Sequence, residues 1–134
     1  MPFSKTGLSQ ELQKALESEG YKKLYPIQQQ AMPALLKGRD VLGIAQTGSG
    51  KTLAFALPTL MNLKPSTDQK SRDVDALILV PTRELAVQVE QVFSTFNYKK
   101  EQPFIVKAVY GGVSINPQMK GLYGVNILVA TPGR

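Results

Sequence analysis

An apolar run, Val41-Leu42-Gly43-Ile44-Ala45, leads directly into Gln46-Thr47-Gly48-Ser49-Gly50-Lys51-Thr52, and Leu53-Ala54-Phe55-Ala56-Leu57 follows. The run reads as a short buried strand and the stretch from Lys51 to Leu57 as a helix, which puts the glycines at a strand-to-helix turn. Gly48 and Gly50 let backbone N–H groups turn inward around phosphate oxygens. The helix behind them adds the positive end of its dipole. Lys51 is then placed to reach the β- and γ-phosphates of a nucleoside triphosphate, and the Thr52 hydroxyl to ligate Mg²⁺. The strict pattern has glycine at its first position; here it is Ala45, which is also small. The competing explanation is a chance glycine turn, and the Lys-Thr pair with both correct flanks weighs against it.

The same alternation continues along the chain. Ala76-Leu77-Ile78-Leu79-Val80 reads as a continuous apolar strand. A helix starting near Thr82 carries Leu85, Val89, Val92 and Phe96 on one face. Phe104 to Tyr110 is a β-branched strand, Ser114 to Leu122 a weak helix or turn, and Val125 to Ala130 a fourth strand. Before the phosphate loop lie two helices. Ser9 is an N-cap for the first, with Leu8, Leu12, Ala15 and Leu16 at helical spacing and Gly20 at its end. The second starts at Pro26, shows Ile27, Ala31, Ala34 and Leu35, and ends at Gly38. Pro58 is expected to kink or end the helix behind the loop. Residues 64–73 are polar and read as a surface loop. Apolar strands alternating with helices predict an α/β fold with a parallel sheet flanked by helices. Residues 1–38 read as an N-terminal helical segment and 39–134 as part of a nucleotide-binding domain.

Composition limits the chemistry. The 134 residues contain no Cys and no His, so disulfides, thiol nucleophiles and the commonest general base are excluded. From Lys99 to Arg134 there are five basic residues and one acidic, so most of the net charge of +6 falls in the last quarter. That suits a polyanionic partner on this part of the surface, or simply a solvated basic face. No stretch approaches a signal peptide core or a membrane span, so the expectation is a soluble cytoplasmic protein without membrane contact.

Gly20-Tyr21 precedes Pro26-Ile27-Gln28 just before the second helix. A Gln side chain carries a donor and an acceptor and can pair with the N6/N7 edge of adenine. Taken alone, Gln28 reads as a solvated helix residue, with Gln29 and Gln30 beside it.

In series, these features resemble the DEAD-box RNA helicases. Gly20 to Gln28, with Tyr21, is similar to the family's adenine-binding Q motif. Phe3, 17 residues before Gly20, stands where the family places an aromatic that stacks on the base. Ala45-Gln46-Thr47-Gly48-Ser49-Gly50-Lys51-Thr52 matches its phosphate loop. Pro81-Thr82-Arg83-Glu84-Leu85, the Gly111-Gly112 doublet and Thr131-Pro132-Gly133-Arg134 match the three motifs that follow, in order. The resemblance implies a partial RecA-like domain, ATP and Mg²⁺ as cofactors, Lys51 and Thr52 in the catalytic machinery, and RNA as partner. It implies that Pro81, Thr82, Arg83, Gly111, Gly112, Thr131, Pro132, Gly133 and Arg134 contact the RNA backbone. Such contacts are sequence-tolerant and salt-sensitive. A phosphate-loop ATPase of another class and an RNA- or partner-binding protein without hydrolysis are the alternatives.

Two departures stand out. Leu24 and Tyr25 replace the family's usual Pro and Thr or Ser, and Tyr25 lacks the short hydroxyl that would cap the helix at Pro26. The acidic Asp-Glu-Ala-Asp motif, the Ser-Ala-Thr motif and the second RecA-like domain do not occur in the sequence. It therefore reads as the N-terminal part of such a helicase, interrupted within the first RecA-like domain and inactive by itself. The resemblance implies that strands from beyond Arg134 would neighbour the phosphate-loop strand. Without them its apolar edge is unpaired, and the isolated chain is expected to be marginally stable. Thermal unfolding of a monomeric sample should give a low, broad transition; a sharp one well above room temperature would refute this.

Overall fold

The computed structural model describes residues 3–48, 50–63, 74–97, 104–112 and 114–134. The chain groups into two compact units: the described residues up to Leu63, and those from Val74 onward. The phosphate loop groups with the N-terminal helices in the first unit.

The first unit is helical. A 3-10 helix, Phe3–Lys5, precedes α1 (Gln10–Ser18), α2 (Pro26–Leu36) and α3 (Lys51–Asn62). Ser9 caps α1, its hydroxyl accepting from the Leu12 amide at 3.3 Å. Leu8, Leu12, Ala15 and Leu16 are buried as their spacing predicts. In α2 the buried residues are Gln28, Ala31 and Met32; of the apolar face expected at Ile27, Ala31, Ala34 and Leu35, Ala31 alone is buried. Neither internal proline ends its helix: Pro33 lies inside α2, and α3 runs through Pro58 to Asn62. Pro58 is buried with Leu57 and Leu60, and that packing offsets the hydrogen bond a proline forfeits.

The expected strand at Val41–Ala45 is not a strand. The segment has no ladder partner among the described residues, and Leu42 and Ile44 are 87% and 86% exposed. An apolar run becomes a strand only when a neighbour takes its backbone groups.

The second unit holds a three-stranded parallel sheet, β1 (Ala76–Leu79), β2 (Val106–Val109) and β3 (Ile127–Ala130), in the order β1-β3-β2. The register pairs Leu79 and Val109 with Ala130, so all three strands end level. Between β1 and β2 runs α4 (Arg83–Asn97), and between β2 and β3 the short α5 (Ile115–Lys120). In α4 the buried stripe is Ala86, Val89, Phe93 and Phe96, while Leu85 stays exposed. It packs on β2 and β3, where Ile127 and Val129 are buried. The other sheet face is open at β1: Leu77 and Leu79 are 60% and 63% exposed. Leu77, Leu79 and Leu128 line an apolar cleft of about 680 Å³ with Ile115, Met119 and Leu122.

Two asparagines trim the strands expected at 104–110 and 125–130. The Asn97 amide bonds both backbone groups of Phe104, accepting from its N–H at 2.8 Å and donating to its carbonyl. Asn126 accepts from the Ile105 amide at 2.9 Å and donates to Asp75 at 3.0 Å. Asn97 is buried, so Asn97→Ala strands two polar groups of Phe104 and should cost about 2 kcal/mol. Urea denaturation should show a lower midpoint; an unmoved midpoint would contradict this.

Candidate nucleotide and nucleic-acid sites

In the first unit the glycines close the turn into α3. Gly48 and Gly50 have φ of 82° and 85°, a region that L side chains adopt only under strain. Gly50 is the N-cap of α3, and no side chain among the described residues caps this helix. Its first-turn amides and dipole are left facing the loop, the arrangement that binds anions. Lys51, the first helical residue, reaches back so that its Nζ donates to the Ala45 carbonyl at 2.6 Å. The ammonium therefore spans the loop from one end to the other. Thr52 is half-buried beside it; Gln46, Thr47 and Gly48 are exposed, and Ser49 lies outside the described residues.

Gln28 connects this loop to α2. It is 2% exposed, and both ends of its amide are engaged. Its Oε1 accepts from the Tyr25 amide at 2.9 Å, the return half of a capping box, and its Nε2 donates to the Gly50 carbonyl at 3.1 Å. Tyr25 leaves the other half unmade, as a residue without a short hydroxyl must. Its ring lies against Gly50 instead. Tyr25, Pro26, Ile27 and Gln30 of α2 and Ile44, Ala45 and Gly48 of the loop enclose a cavity of about 450 Å³. The sequence points to Gln28 here but gives no site role to Ile27, Gln30 or Ile44. The available signal was Gln at the third position of a helix that begins with proline.

Phe3 is buried, so its ring presents no open face. Gly20, at φ 88°, ends α1, its amide donating to the Glu17 carbonyl, and Tyr21 follows half-buried.

In the second unit the three remaining motifs follow the three level strand ends. Pro81, Thr82 and Arg83 follow β1, Gly111 and Gly112 follow β2, and Thr131, Pro132, Gly133 and Arg134 follow β3 between them. With parallel strands about 4.8 Å apart, the three ends span about 10 Å of one edge, where α/β sheets bind ligands. Thr82 caps α4, accepting from the Leu85 amide at 3.2 Å. Gly112 and Gly133 have φ of 84° and 88° with open space where a Cβ would stand. Arg83 is exposed at the start of α4, its guanidinium 5.0 Å from the centroid of the Tyr110 ring. Of the basic residues from the last quarter, Lys107 is exposed on β2; Lys99 and Lys100 fall outside the described residues.

The sequence pattern of the DEAD/DEAH box helicase family matches residues 25–134. The chain belongs to that family. It is 44% identical to the ATP-dependent RNA helicase CshA of Limosilactobacillus reuteri and 48% identical to the ATP-dependent RNA helicase DeaD of Escherichia coli. The alignments take in 100% and 98% of this chain but only 26% and 20% of those proteins. Among solved structures it resembles a DEAD box protein from Methanococcus jannaschii, with TM-score 0.86 and 36% identity, covering 100% of this chain and 35% of that one. It also resembles the RNA helicase Prp28 of Chaetomium thermophilum bound to ADP, with TM-score 0.88 and 40% identity, covering 99% and 32%. The fold is therefore the partial RecA-like domain expected. No helix among the described residues is long and apolar enough to cross a membrane.

Gly50 allows a direct test of the DEAD-box loop. A Cβ there would lie 2.5 Å from Gln28 Nε2 and 2.8 Å from Tyr25 Cδ2, whereas one at Gly48 would meet nothing. Both glycines carry the backbone strain, about 1–2 kcal/mol for alanine. Gly50→Ala should therefore lower the unfolding temperature clearly more than Gly48→Ala. Equal losses would mean that the Gln28 contact contributes nothing.

Proposed function

We propose that this chain supplies the ATP-binding part, and part of the RNA-contacting edge, of an ATP-dependent RNA helicase that couples ATP hydrolysis to duplex unwinding or RNA–protein remodelling. The observation that carries this reading is the alignment of three motif-bearing strand ends at one sheet edge, in a chain that also has a phosphate loop. The relatives named as ATP-dependent RNA helicases, and the one solved with ADP, support it.

The residues fit a nucleoside triphosphate. The first-turn amides of α3 receive phosphate oxygens, with Gly48 and Gly50 providing backbone access for Ala45 to Thr52. Lys51 exchanges the Ala45 carbonyl for a phosphate oxygen, a charge-assisted contact and so the stronger one. Thr52 gives Mg²⁺ one oxygen ligand. The bound Mg²⁺ would neutralise charge on the phosphates during transfer. Gln28 recognises adenine with the amide hydrogen and oxygen lone pair left over from its bonds to Gly50 and Tyr25. Gly20, Tyr21 and the cavity beside α2 flank the base, and Phe3 stacks on it once its ring is uncovered. Amides and side chains at Pro81–Arg83, Gly111–Gly112 and Thr131–Arg134 hold RNA phosphates without reading sequence. A second RecA-like domain and the acidic motif complete the site in the whole protein, so the 134 residues alone do not hydrolyse ATP. The cytoplasm is the proposed compartment, on the strength of the bacterial relatives.

RNA-stimulated ATP hydrolysis should appear in the full-length polypeptide and be absent from the 134-residue chain. ATP should outcompete GTP for binding. RNA binding with no hydrolysis in the full-length form would favour a binding protein, and equal competition by GTP would remove the adenine role of Gln28.

A further inference from the structure

Arg83 carries a charge in an awkward place. It is the first residue of α4, where the helix dipole is positive and a cation is disfavoured. The side chain is exposed and makes no hydrogen bond or ion pair to any described residue. It lies over the ring of Tyr110, 5.0 Å from its centroid, at the end of β2 and directly before Gly111. A guanidinium over a ring is held through its flat face, and its in-plane N–H donors stay open. Tyr110 is itself half-buried, and its carbonyl accepts from Gln118 Nε2 at 3.2 Å, which fixes the backbone below the ring.

We propose that Tyr110 is a positioning residue for RNA binding: its ring pins the Arg83 guanidinium between the ends of β1 and β2, so that the open donors meet an RNA phosphate without first being ordered. This rests on the reading of Arg83 as an RNA contact. A free arginine loses side-chain entropy when it grips a phosphate, and one already stacked loses less. The ring also offsets the unfavourable helix end by electrostatic attraction. Position 110 therefore needs an electron-rich aromatic face rather than a tyrosine hydroxyl.

The test uses the full-length polypeptide and a fluorescein-labelled single-stranded RNA, with affinity read by anisotropy. Arg83→Ala should weaken binding about tenfold and reduce the salt slope by about 0.7, as one lost phosphate contact would. Tyr110→Phe should bind as the parent does. Replacing that Phe by increasingly fluorinated phenylalanines keeps the ring's shape and drains charge from its face. Affinity should then fall stepwise, to about threefold in total, and the series should be flat in an Arg83→Ala background. If Arg83→Ala leaves affinity unchanged, Arg83 is not an RNA contact and the positioning role falls with it. If Arg83→Ala weakens binding but fluorination has no effect, or the same effect in both backgrounds, the contact stands and the role of Tyr110 is overturned.

Discussion

The amide of Gln28 is the tie on which the nucleotide-binding unit depends. One side chain closes the amino end of α2 through the Tyr25 amide and holds the last glycine of the phosphate loop through its carbonyl. The contact works only because Gly50 has no Cβ and adopts a left-handed backbone. Burial makes it consequential, since an unpaired amide in that place costs far more than an exposed one. The element that would recognise a base and the loop that would hold phosphates are therefore not independent. A change at either is transmitted to the other through two hydrogen bonds.

The sheet unit follows a different rule. Its parallel strands end at one level, and the backbone groups that no strand can use are offered at that edge. Side-chain amides handle the surplus elsewhere: Asn97 takes both polar groups of Phe104, and Asn126 takes the Ile105 amide. The carboxyl edge is left to glycines, Thr82 and the two arginines, groups that suit phosphate oxygens. Arg83, over the Tyr110 ring, makes no hydrogen bond to any described residue.

Legibility in the sequence varied with how local the cause was. Ser9, Gly20, Pro26 and Gly38 marked helix ends correctly, because capping and positive φ are decided within a few residues. Pro58 misled for the opposite reason: its cost is local, but the burial that offsets it comes from Leu57, Leu60 and their neighbours. Leu42 and Ile44 carried a strand signal with no partner among the described residues to realise it. The stripes of α2 and α4 were legible in part: Ala31, Val89 and Phe96 are buried as expected, while Ile27 and Leu85 gave way to Gln28 and Ala86, since periodicity defines a face and packing chooses its centre.

The sequence by itself determined the motif order, the phosphate loop and the kind of chemistry a chain without His or Cys can support, because each is a matter of residue type and short spacing. Tertiary structure decided that Gln28 is buried against Gly50, that three distant motifs share one sheet edge, and that Tyr110 underlies Arg83. Gln28 and Gly50 are 22 positions apart in the chain, and Arg83 and Tyr110 are 27 apart. Only burial and strand register bring such positions within reach of a hydrogen bond or a ring face.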